Sequence, residues 1–372
     1  MGARDKHQLT RRQFVKTLAA AAAASALSSA AAQEPQPNPK EILNYNEVME
    51  YRRLGRTGLW CSRIGLGGHH RGRDQNVRNA VVAKALDLGI NYFDTTSDFE
   101  AKELGIALKA CNGRDRAYIV RDNLVVRNPQ VRKLPEKEFK RMVREHLEKG
   151  LKLLQTDYVD VYRMTPPEGN PEAEPVKQGP MPSGWPMEEF WTVHWFAEEF
   201  EKLRDEGKCR FFGLSTHNPA FNAKAVNEVP QLDLVYLPYN YVFSGAADRL
   251  YPEAKGEGTL FELCHKKDRG IVTIKPFMKT ALFRTEAFKK RYEERKREID
   301  TVAAFALRFV LANPYITVTI PGMDTPEQVE QNVAVVKQGA PSKAELEILD
   351  RYTRDVPRIV AAEYPWARLW LA

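Results

Sequence analysis

Short apolar segments alternate with longer amphipathic segments along most of the chain. The apolar segments are rich in β-branched and aromatic residues, which predicts strands. They cover residues 62–68, 91–95, 117–122, 158–163, 210–215, 232–236, 271–276 and 316–320. Amphipathic segments between them, such as 136–154, 190–206 and 299–311, predict helices. Eight strands that alternate with helices favour an α/β fold, a closed parallel (β/α)8 TIM barrel.

The predicted barrel has an extension at each end. Tyr51 to Trp60 reads as an N-terminal hairpin that turns at Thr57 and Gly58. Amphipathic patterns at 326–336 and 342–353 predict a C-terminal helical extension. We expect no second domain.

The regions that flank the predicted barrel, residues 51–353, differ from it in composition. Residues 33–50 are polar and contain prolines, which indicates a linker. Residues 354–372 form a tail with three large rings, at Tyr364, Trp366 and Trp370. We expect these rings to be buried, either over the barrel mouth or on another subunit, and the sequence leaves both open.

The first 32 residues have the pattern of an export signal. Arg11 and Arg12 form a twin-arginine pair, an alanine-rich run follows, and small residues at 30–32 precede Gln33. The apolar run is too short to cross a membrane. We therefore predict a twin-arginine signal peptide, with the twin-arginine translocase as a partner. The mature protein is then periplasmic or otherwise exported, without stable membrane insertion.

Composition sets the broad class. The 372 residues are 43% hydrophobic and 28% charged, which is typical of a globular chain with one large core. The net charge of +7 falls to +3 without residues 1–32, and no basic stripe interleaved with aromatics is present, so nucleic acid is not an expected partner. The four cysteines form no CxxC motif. The sequence allows a disulfide in an oxidising compartment, but it does not assign the pairing.

A proline-rich insertion follows the fourth strand, at residues 165–186. Its seven prolines are at positions 166, 167, 171, 175, 180, 182 and 186. This density of proline excludes a helix or a central strand. Because the segment also contains Met181 and Trp185, we predict a lid over the catalytic rim. A disordered surface loop is the alternative.

The second strand carries the motif that connects the chain to a known family. Residues 90–95, Ile-Asn-Tyr-Phe-Asp-Thr, are followed by Leu-Gly-Ile-Ala-Leu at 104–108, and this order resembles the aldo-keto reductases. The Arg-x-Leu-Gly-x-Thr-Gly-Leu of residues 52–59 resembles the hairpin that plugs the barrel bottom in that family. The resemblance implies hydride transfer between a nicotinamide cofactor and a carbonyl, with an Asp, a Tyr, a Lys and a His at the site.

Only the first of those four positions matches, as Asp94. The Tyr position falls on Phe99 or Ser97, depending on the alignment, so the usual phenol proton donor is missing. Asp122 stands at the Lys position and Thr165 at the His position. The usual site is therefore reduced to Asp94.

An inward ion network is predicted in place of the usual Asp–Lys pair. Arg163 lies two residues before Thr165 and shares its inward face, whereas Arg121 should point to the outside. A buried arginine requires a partner, and Asp94 and Asp122 are the nearest carboxylates in this register. The alternative is that Arg163 only stabilises the barrel.

Another group must then act as the proton donor. His69, His70 and His217 follow strand ends, and Glu100 follows Asp94 closely, so we expect all four on the catalytic rim. His69, His70 or Glu100 is the predicted substitute acid. Hydrogen bonding to loop backbone is the alternative for the histidines. No ligand spacing predicts a metal.

The cofactor side is predicted from the same resemblance. Its strand-end positions imply that a nicotinamide dinucleotide is held by Ser215, Thr216, Lys275, Pro321, Gly322, Gln328 and Asn332. Either NAD or NADP fits the family. Asp324 would repel a 2′-phosphate, and Gly322 and Gln328 replace basic residues, so NAD is favoured. Retention of this segment for packing alone is the alternative.

Three functions follow from these observations. The first is an exported aldo-keto-reductase-type oxidoreductase that acts on a small carbonyl or sugar through a non-standard site. The second is a repurposed barrel without redox chemistry that binds or processes a small ligand under the lid. The third, a structural periplasmic protein, is disfavoured because His, Asp and Arg gather at the rim.

Overall fold

The structure, a computed structural model, describes residues 37–68, 74–166, 189–245, 249–285, 287 and 296–363. Its strands are β1 Tyr51–Arg53, β2 Trp60–Ser62, β3 Tyr92–Thr95, β4 Tyr118–Asn123, β5 Val159–Met164, β6 Cys209–Ser215, β7 Leu232–Pro238, β8 Gly270–Ile274 and β9 Val318–Ile320. Its helices are α1 Gln75–Asp87, α2 Asp98–Ala110, α3 Pro129–Arg132, α4 Glu136–Leu154, α5 Trp191–Asp205, α6 Pro219–Glu228, α7 Leu260–Lys266, α8 Lys296–Leu311, α9 Pro326–Ala334, α10 Lys343–Thr353 and α11 Val356–Glu363.

The strands β3 to β9 form one parallel sheet in chain order. The sheet closes through the first predicted strand, because Ile64 pairs with Thr319 on β9 and Leu66 pairs with Phe93 on β3. Glycines around these two bridges explain why no longer strand forms there. The predicted (β/α)8 barrel is confirmed, with its first strand reduced to two bridges.

Side-chain alternation separates two cores. On β4, Tyr118 and Val120 belong to the core inside the barrel, whereas Ile119 packs in the core between strands and helices. Every residue of β4 is buried because the helices cover the outer face. The same alternation places Asp122 inside the barrel and Arg121 outside it, as predicted.

The N-terminal hairpin closes one end of the barrel. Strands β1 and β2 pair antiparallel, and Gly58 adopts the left-handed conformation that its turn requires. Leu54, Leu59 and Cys61 join the core inside the barrel. The hairpin is therefore a packed plug of the barrel.

The Leu-Gly-x-Ala-Leu motif of α2 has a packing role. A Cβ added at Gly105 would lie 2.6 Å from the Leu153 carbonyl oxygen and 2.8 Å from the Leu154 backbone. Only a glycine lets α2 approach the C-terminal end of α4 this closely. Helix α2 also contacts β3, which carries Asp94.

The last residues before β1, which their composition predicts to be part of a linker, pack against the barrel. Ile42 and Met49 are 8% and 3% exposed, and the Asn44 side chain donates to the carbonyl oxygens of Leu86 and Ile90. Two buried apolar side chains and the Asn44 amide are therefore sufficient to hold this segment against the barrel, although its average composition is polar. Residues 42–50 are therefore part of the barrel unit.

Several predicted regions lie outside the described residues. They are the signal peptide 1–32, His69 and His70, positions 167–186 of the predicted lid, and the rings of Tyr364, Trp366 and Trp370. In the part of the chain that is described, no helix has the length and apolar character needed to span a membrane. The four cysteines are all described, and none forms a disulfide.

A buried polar cluster joins the outside of β4 to α4. Arg121 is fully buried, forms an ion pair with Asp98, and donates from Nη2 to His146 Nε2 at 2.9 Å. The His146 ring stacks on Tyr162. Burial, reinforced by the nearby Arg121 charge, lowers the pKa of His146 to about 3. His146 is therefore a neutral packing residue.

This shift predicts an acid sensitivity of the fold. Below pH 6.5 the unfolded chain protonates His146, whereas the folded chain does so only near pH 3, so the free energy of unfolding decreases as the pH falls through this window. Between pH 7 and pH 5 this group alone should remove about 2 kcal/mol of stability. Denaturant titrations at the two pH values should show that loss for the wild type and for the exposed control His194→Gln. They should show a correspondingly smaller loss for His146→Gln. Equal losses in all three proteins would contradict the assignment.

Candidate active site

A connected ion network occupies the C-terminal end of the barrel. Arg163 Nη1 lies 2.8 Å from Asp94 Oδ1, and Arg163 Nη2 donates to Asp122 Oδ2 at 2.8 Å. The Thr165 hydroxyl donates to the other Asp122 oxygen at 2.7 Å. Asp122 and Arg163 are register partners on adjacent strands, so the pairing follows directly from the sheet. The structure thus brings together four of the predicted catalytic residues.

The network is almost completely shielded from water. The side chains of Arg163, Asp94 and Asp122 are 4%, 8% and 2% exposed. Burial by itself would lower the pKa of Arg163, but the adjacent Asp122 and Asp94 carboxylates outweigh it and raise the pKa well above its ordinary value. Arg163 is therefore a permanent cation between two carboxylates.

Two tyrosines that were not predicted as site residues, Tyr236 and Tyr92, support this network. The Tyr236 ring of β7 lies 4.5 Å from Arg163 Cζ, and its hydroxyl hydrogen-bonds to the Tyr92 hydroxyl. A Cβ on Gly213 would lie 2.9 Å from Tyr236 Cε2, so this glycine makes room for the ring. Side-chain alternation along β7 predicts which of its residues point inward. It does not predict that the Tyr236 ring contacts Arg163.

At the two positions that the family pattern assigns to the phenol, the structure shows a helix cap and an exposed ring. Ser97 is the N-cap of α2, and Phe99 is 51% exposed. Glu100 completes the capping box, because its carboxylate accepts from the backbone N–H groups of Thr96 at 2.6 Å and Ser97 at 3.2 Å. The structure therefore gives Glu100 a structural role at the rim; its predicted catalytic role stays untested.

Two of the predicted cofactor residues lie at the end of β6 and directly after it. Ser215 and Thr216 are 7% and 4% exposed, and the Thr216 backbone N–H donates to the Tyr236 carbonyl oxygen at 3.2 Å. The Thr216 hydroxyl accepts from the Asn218 N–H, and Asn218 caps α6. The helix cap thus fixes the Thr216 hydroxyl at the barrel mouth.

A lysine–histidine contact bridges two strand ends. Lys275, directly after β8, places Nζ 2.6 Å from Nε2 of His217, which follows β6. Lys275 has a φ of 59°, in the left-handed region that costs a non-glycine residue energy. Its carbonyl oxygen accepts from Asn240 Nδ2 at 3.0 Å and from the Met278 N–H at 2.9 Å, which fixes this conformation.

The segment from β9 to α9 contains the remaining predicted cofactor residues. Pro321 is buried, Gly322 is exposed, and Asn332 is buried on the inner side of α9. The Gln328 side-chain oxygen accepts from the Asp324 N–H at 2.7 Å, which caps the start of α9. The cofactor role of Gln328 stays a prediction.

A buried arginine beside this segment was also missed. Arg78 on α1 is 2% exposed, and its Nη2 lies 3.4 Å from the Gly67 carbonyl oxygen. Burial lowers the pKa of Arg78 to about 10, opposed by the charges of Glu103, Glu100 and Asp324. Arg78 therefore lies within electrostatic reach of three carboxylates at this part of the rim.

The donor set at the mouth fits a nicotinamide dinucleotide. Ser215 and Thr216 present hydroxyls where a carboxamide is expected from the family pattern, and Asn332 keeps a buried amide on the adenine side. The residues present therefore fit a nicotinamide cofactor.

A closed parallel barrel with polar side chains at the C-terminal strand ends has the architecture of a barrel enzyme. A family model described as Aldo/keto reductase family matches residues 63–353, and the chain therefore belongs to the aldo/keto reductase family. It is 28% identical over 316 residues to L-galactose dehydrogenase of Arabidopsis thaliana, covering 78% of this chain and 89% of that protein.

Solved structures agree with the fold. The aldo-keto reductase AKR11C1 from Bacillus halodurans, in its holo form, has a TM-score of 0.57 at 21% identity, covering 82% of this chain and 96% of that one. An aldo-keto reductase from Klebsiella pneumoniae in complex with NADPH has a TM-score of 0.57 at 20% identity, covering 82% and 94%. The predicted family and fold are confirmed, and the chain is an oxidoreductase of aldo-keto reductase type.

Proposed function

We propose that this protein is an exported, NAD-dependent oxidoreductase that acts on a small carbonyl or sugar through a rearranged active site. The observation that carries the proposal is the buried network of Arg163 with Asp94 and Asp122 at the catalytic end of the barrel. A buried ion network costs desolvation energy that a hydrophobic interior avoids, so it is better explained by function than by stability.

The network assigns a distinct role to each group. Arg163 provides a fixed positive charge where a substrate oxygen becomes negative, but a guanidinium does not release its proton at working pH. Asp94 and Asp122 hold the guanidinium from two sides, and Thr165 orients Asp122. A bound nicotinamide supplies or accepts the hydride. The proton must then come from a group outside this network.

The proposal is tested by dinucleotide binding. Calorimetry on the purified protein with NADH, NADPH, NAD and NADP should show binding, after a denatured sample has been checked for released cofactor. Binding or release, together with turnover of a carbonyl or sugar, supports an oxidoreductase. If the protein neither binds nor releases a dinucleotide and turns over no carbonyl or sugar, the redox proposal is rejected.

The preference for NAD makes a separate prediction. Asp324→Asn removes the negative charge and keeps the shape, so we expect NADP(H) to bind about tenfold more tightly, which corresponds to about 1.4 kcal/mol. Affinity for NAD(H) should change little, because NAD(H) carries no 2′-phosphate. Glu327→Gln, an exposed change in the first turn of α9, is the matched control. An unchanged ratio of NADP to NAD affinity in Asp324→Asn would contradict the prediction.

A second function is favoured by one observation. Ser97 caps a helix and Phe99 faces solvent, so neither position provides the family's proton donor. A barrel that binds or processes a small ligand without redox chemistry explains that loss. This alternative predicts no dinucleotide binding in the same calorimetry.

The proposed export rests on residues 1–32, which contain the twin-arginine pair, the apolar run and the small residues before Gln33. Replacing both Arg11 and Arg12 by Lys should retain the protein in the cytoplasm of a host with this translocase, as fractionation would show. Unchanged distribution of the double variant would argue against this route. A cofactor bound before export would be carried with the folded protein.

A further inference from the structure

We propose that Asn123 and Tyr162, outside the barrel, are positioning residues that hold Asp122 and Arg163 together at the candidate active site. The inference rests on the proposed oxidoreductase function and deepens it, because it identifies what fixes the geometry of the ion network. Neither residue is among the four site positions that the family pattern supplies.

The outer faces of β4 and β5 carry polar side chains where a covered sheet normally carries apolar ones. A parallel sheet that is buried on both faces has mostly apolar strands. Side-chain alternation places Asn123 of β4 and Tyr162 of β5 on the helix side, and both are 0% exposed. Buried polar groups cost energy unless they are hydrogen-bonded, so this pair is better explained by a positional role than by packing.

A hydrogen bond joins these two side chains across the strands. Asn123 Nδ2 donates to the Tyr162 hydroxyl at 2.6 Å, and that hydroxyl donates to the Val143 carbonyl oxygen of α4 at 2.7 Å. Burial raises the pKa of Tyr162 above its ordinary value, although the hydrogen bond from Asn123 opposes the shift, so the phenol keeps its proton. This bridge therefore connects β4, β5 and α4.

The bridge lies at the level of the ion network. Asp122 and Arg163 are register partners, and each adjoins one residue of the bridge, since Asn123 follows Asp122 and Tyr162 precedes Arg163. On the inner face, Arg163 Nη2 donates to Asp122 Oδ2 at 2.8 Å. The two strands are thus tied together on both faces at the same level, and a shift of either strand would move one partner of the ion pair.

A further tie closes the ends of the two strands. The Asn123 carbonyl oxygen accepts from the Thr165 N–H at 3.2 Å, and the Thr165 hydroxyl donates to Asp122 Oδ1 at 2.7 Å. The Asn123 side-chain oxygen accepts from the Val125 N–H at 2.9 Å, which orients the amide with Nδ2 towards Tyr162. Both polar atoms of the Asn123 side chain are therefore committed to this arrangement.

The bridge acts by limiting motion and does not need to touch a reactant. Arg163 is held by two carboxylates on two other strands, so its charge keeps its place only while the strands keep their separation. A displacement of about 1 Å, caused by a change away from the chemistry, can slow a reaction about 10²-fold. Removing the bridge should thus loosen Arg163 and slow turnover, although every group of the network is still present.

The first test needs neither cofactor nor substrate. In the protein labelled with ¹⁵N-arginine, the two Nη groups of Arg163 should give separate signals, because two carboxylates hinder rotation of the guanidinium. Arg163→Lys identifies these signals. Tyr162→Phe keeps the ring and removes the hydroxyl, and it should speed the rotation about tenfold. Arg308, which pairs with Glu345 of α10, is the internal control and should rotate at an unchanged rate.

Tyr51→Phe is the matched control variant. The Tyr51 hydroxyl also makes hydrogen bonds within the fold, with the carbonyl oxygens of Asn44 and Gly89 at 3.0 Å each, but it belongs to the hairpin at the other end of the barrel. This variant should lose stability and leave the Arg163 signals unchanged. Asn123→Ser removes the amide donor and should act on the signals as Tyr162→Phe does.

The second test measures turnover with NADH and the carbonyl probes glyceraldehyde and 4-nitrobenzaldehyde. Tyr162→Phe should lower kcat about tenfold and leave the dissociation constant for NADH within about threefold, because the predicted cofactor residues lie on other strands. In an Asp122→Asn background the same change should lower kcat less than about twofold, since the partner through which the bridge acts is already altered. Tyr51→Phe should keep the kcat of the wild type.

The outcomes separate the bridge from the wider function. If Tyr162→Phe and Asn123→Ser leave the Arg163 signals unchanged, or if Tyr51→Phe alters them equally, the bridge does not position the network and the proposal is overturned. An active wild type whose Tyr162→Phe variant keeps its kcat would also overturn it. If the wild type binds no dinucleotide and reduces neither probe, the proposed function fails, whereas the Arg163 signals still decide whether the bridge holds the network.

Discussion

Arg163→Met should destabilise the fold by about 3–5 kcal/mol and remove turnover, because it leaves two buried carboxylates without their cation. Asp94 and Asp122 are 8% and 2% exposed at their side chains, so water cannot replace the guanidinium without opening the barrel mouth. Methionine has a similar reach and no charge, which limits the change to electrostatics and hydrogen bonding. Denaturant unfolding at pH 7 measures the loss.

Two further variants make this result specific. Arg141→Met removes an arginine of α4 that is 55% exposed and pairs with Glu138 and Glu145, and it should cost less than about 1 kcal/mol. Combining Arg163→Met with Asp94→Asn and Asp122→Asn removes the uncompensated charges and should recover most of the stability, but not the turnover. A single Arg163→Met variant as stable as the wild type would show that the two carboxylates do not depend on this cation.

Gly55→Ala should destabilise the protein by about 2–4 kcal/mol, since it combines backbone strain with a steric clash. Gly55 has a φ of 49°, and a Cβ there would lie 2.3 Å from the Gly270 nitrogen and 2.8 Å from the Asp268 carbonyl oxygen. All of the nearest atoms are backbone, so no side chain can rotate away. The substitution therefore pushes the plug away from the start of β8.

The hairpin provides a matched control for this prediction. Gly58 also has a positive φ, 69°, but nothing lies within 4 Å of an added Cβ. Gly58→Ala should therefore show only the left-handed strain, about 1–2 kcal/mol. The difference between the two variants, measured by urea unfolding, isolates the contact of the plug with β8. Equal losses would mean that this contact contributes nothing.

The ion network was largely predictable, because it depends on local rules. Alternation along a strand places Asp122 inward and Arg121 outward, and parallel register sets Asp122 beside Arg163. The role of Glu100 was also readable, since Ser97 followed by a glutamate three residues later is the sequence signature of a helix cap. Taking Glu100 only as a rim acid overlooked this local signal.

Other parts of the site had no local signal. The contact between His217 and Lys275 spans 58 positions of the chain, and it exists because β6 and β8 flank β7 in the closed barrel. The Tyr236 ring under Arg163 depends on a space that Gly213 leaves on a neighbouring strand. Burial of Arg78 beside Asp324 requires the packing of α1 against α9.

The sequence by itself determined the alternation of strands and helices and the family motif at Asp94, and it predicts that the family's phenol, lysine and histidine are replaced. These are properties of neighbouring residues, because hydrophobic period, capping and strand alternation act over a few positions. Only the tertiary structure decided which distant side chains meet at the barrel mouth. Closure of the sheet fixes those distances, and the depth of burial then sets which charges must be paired.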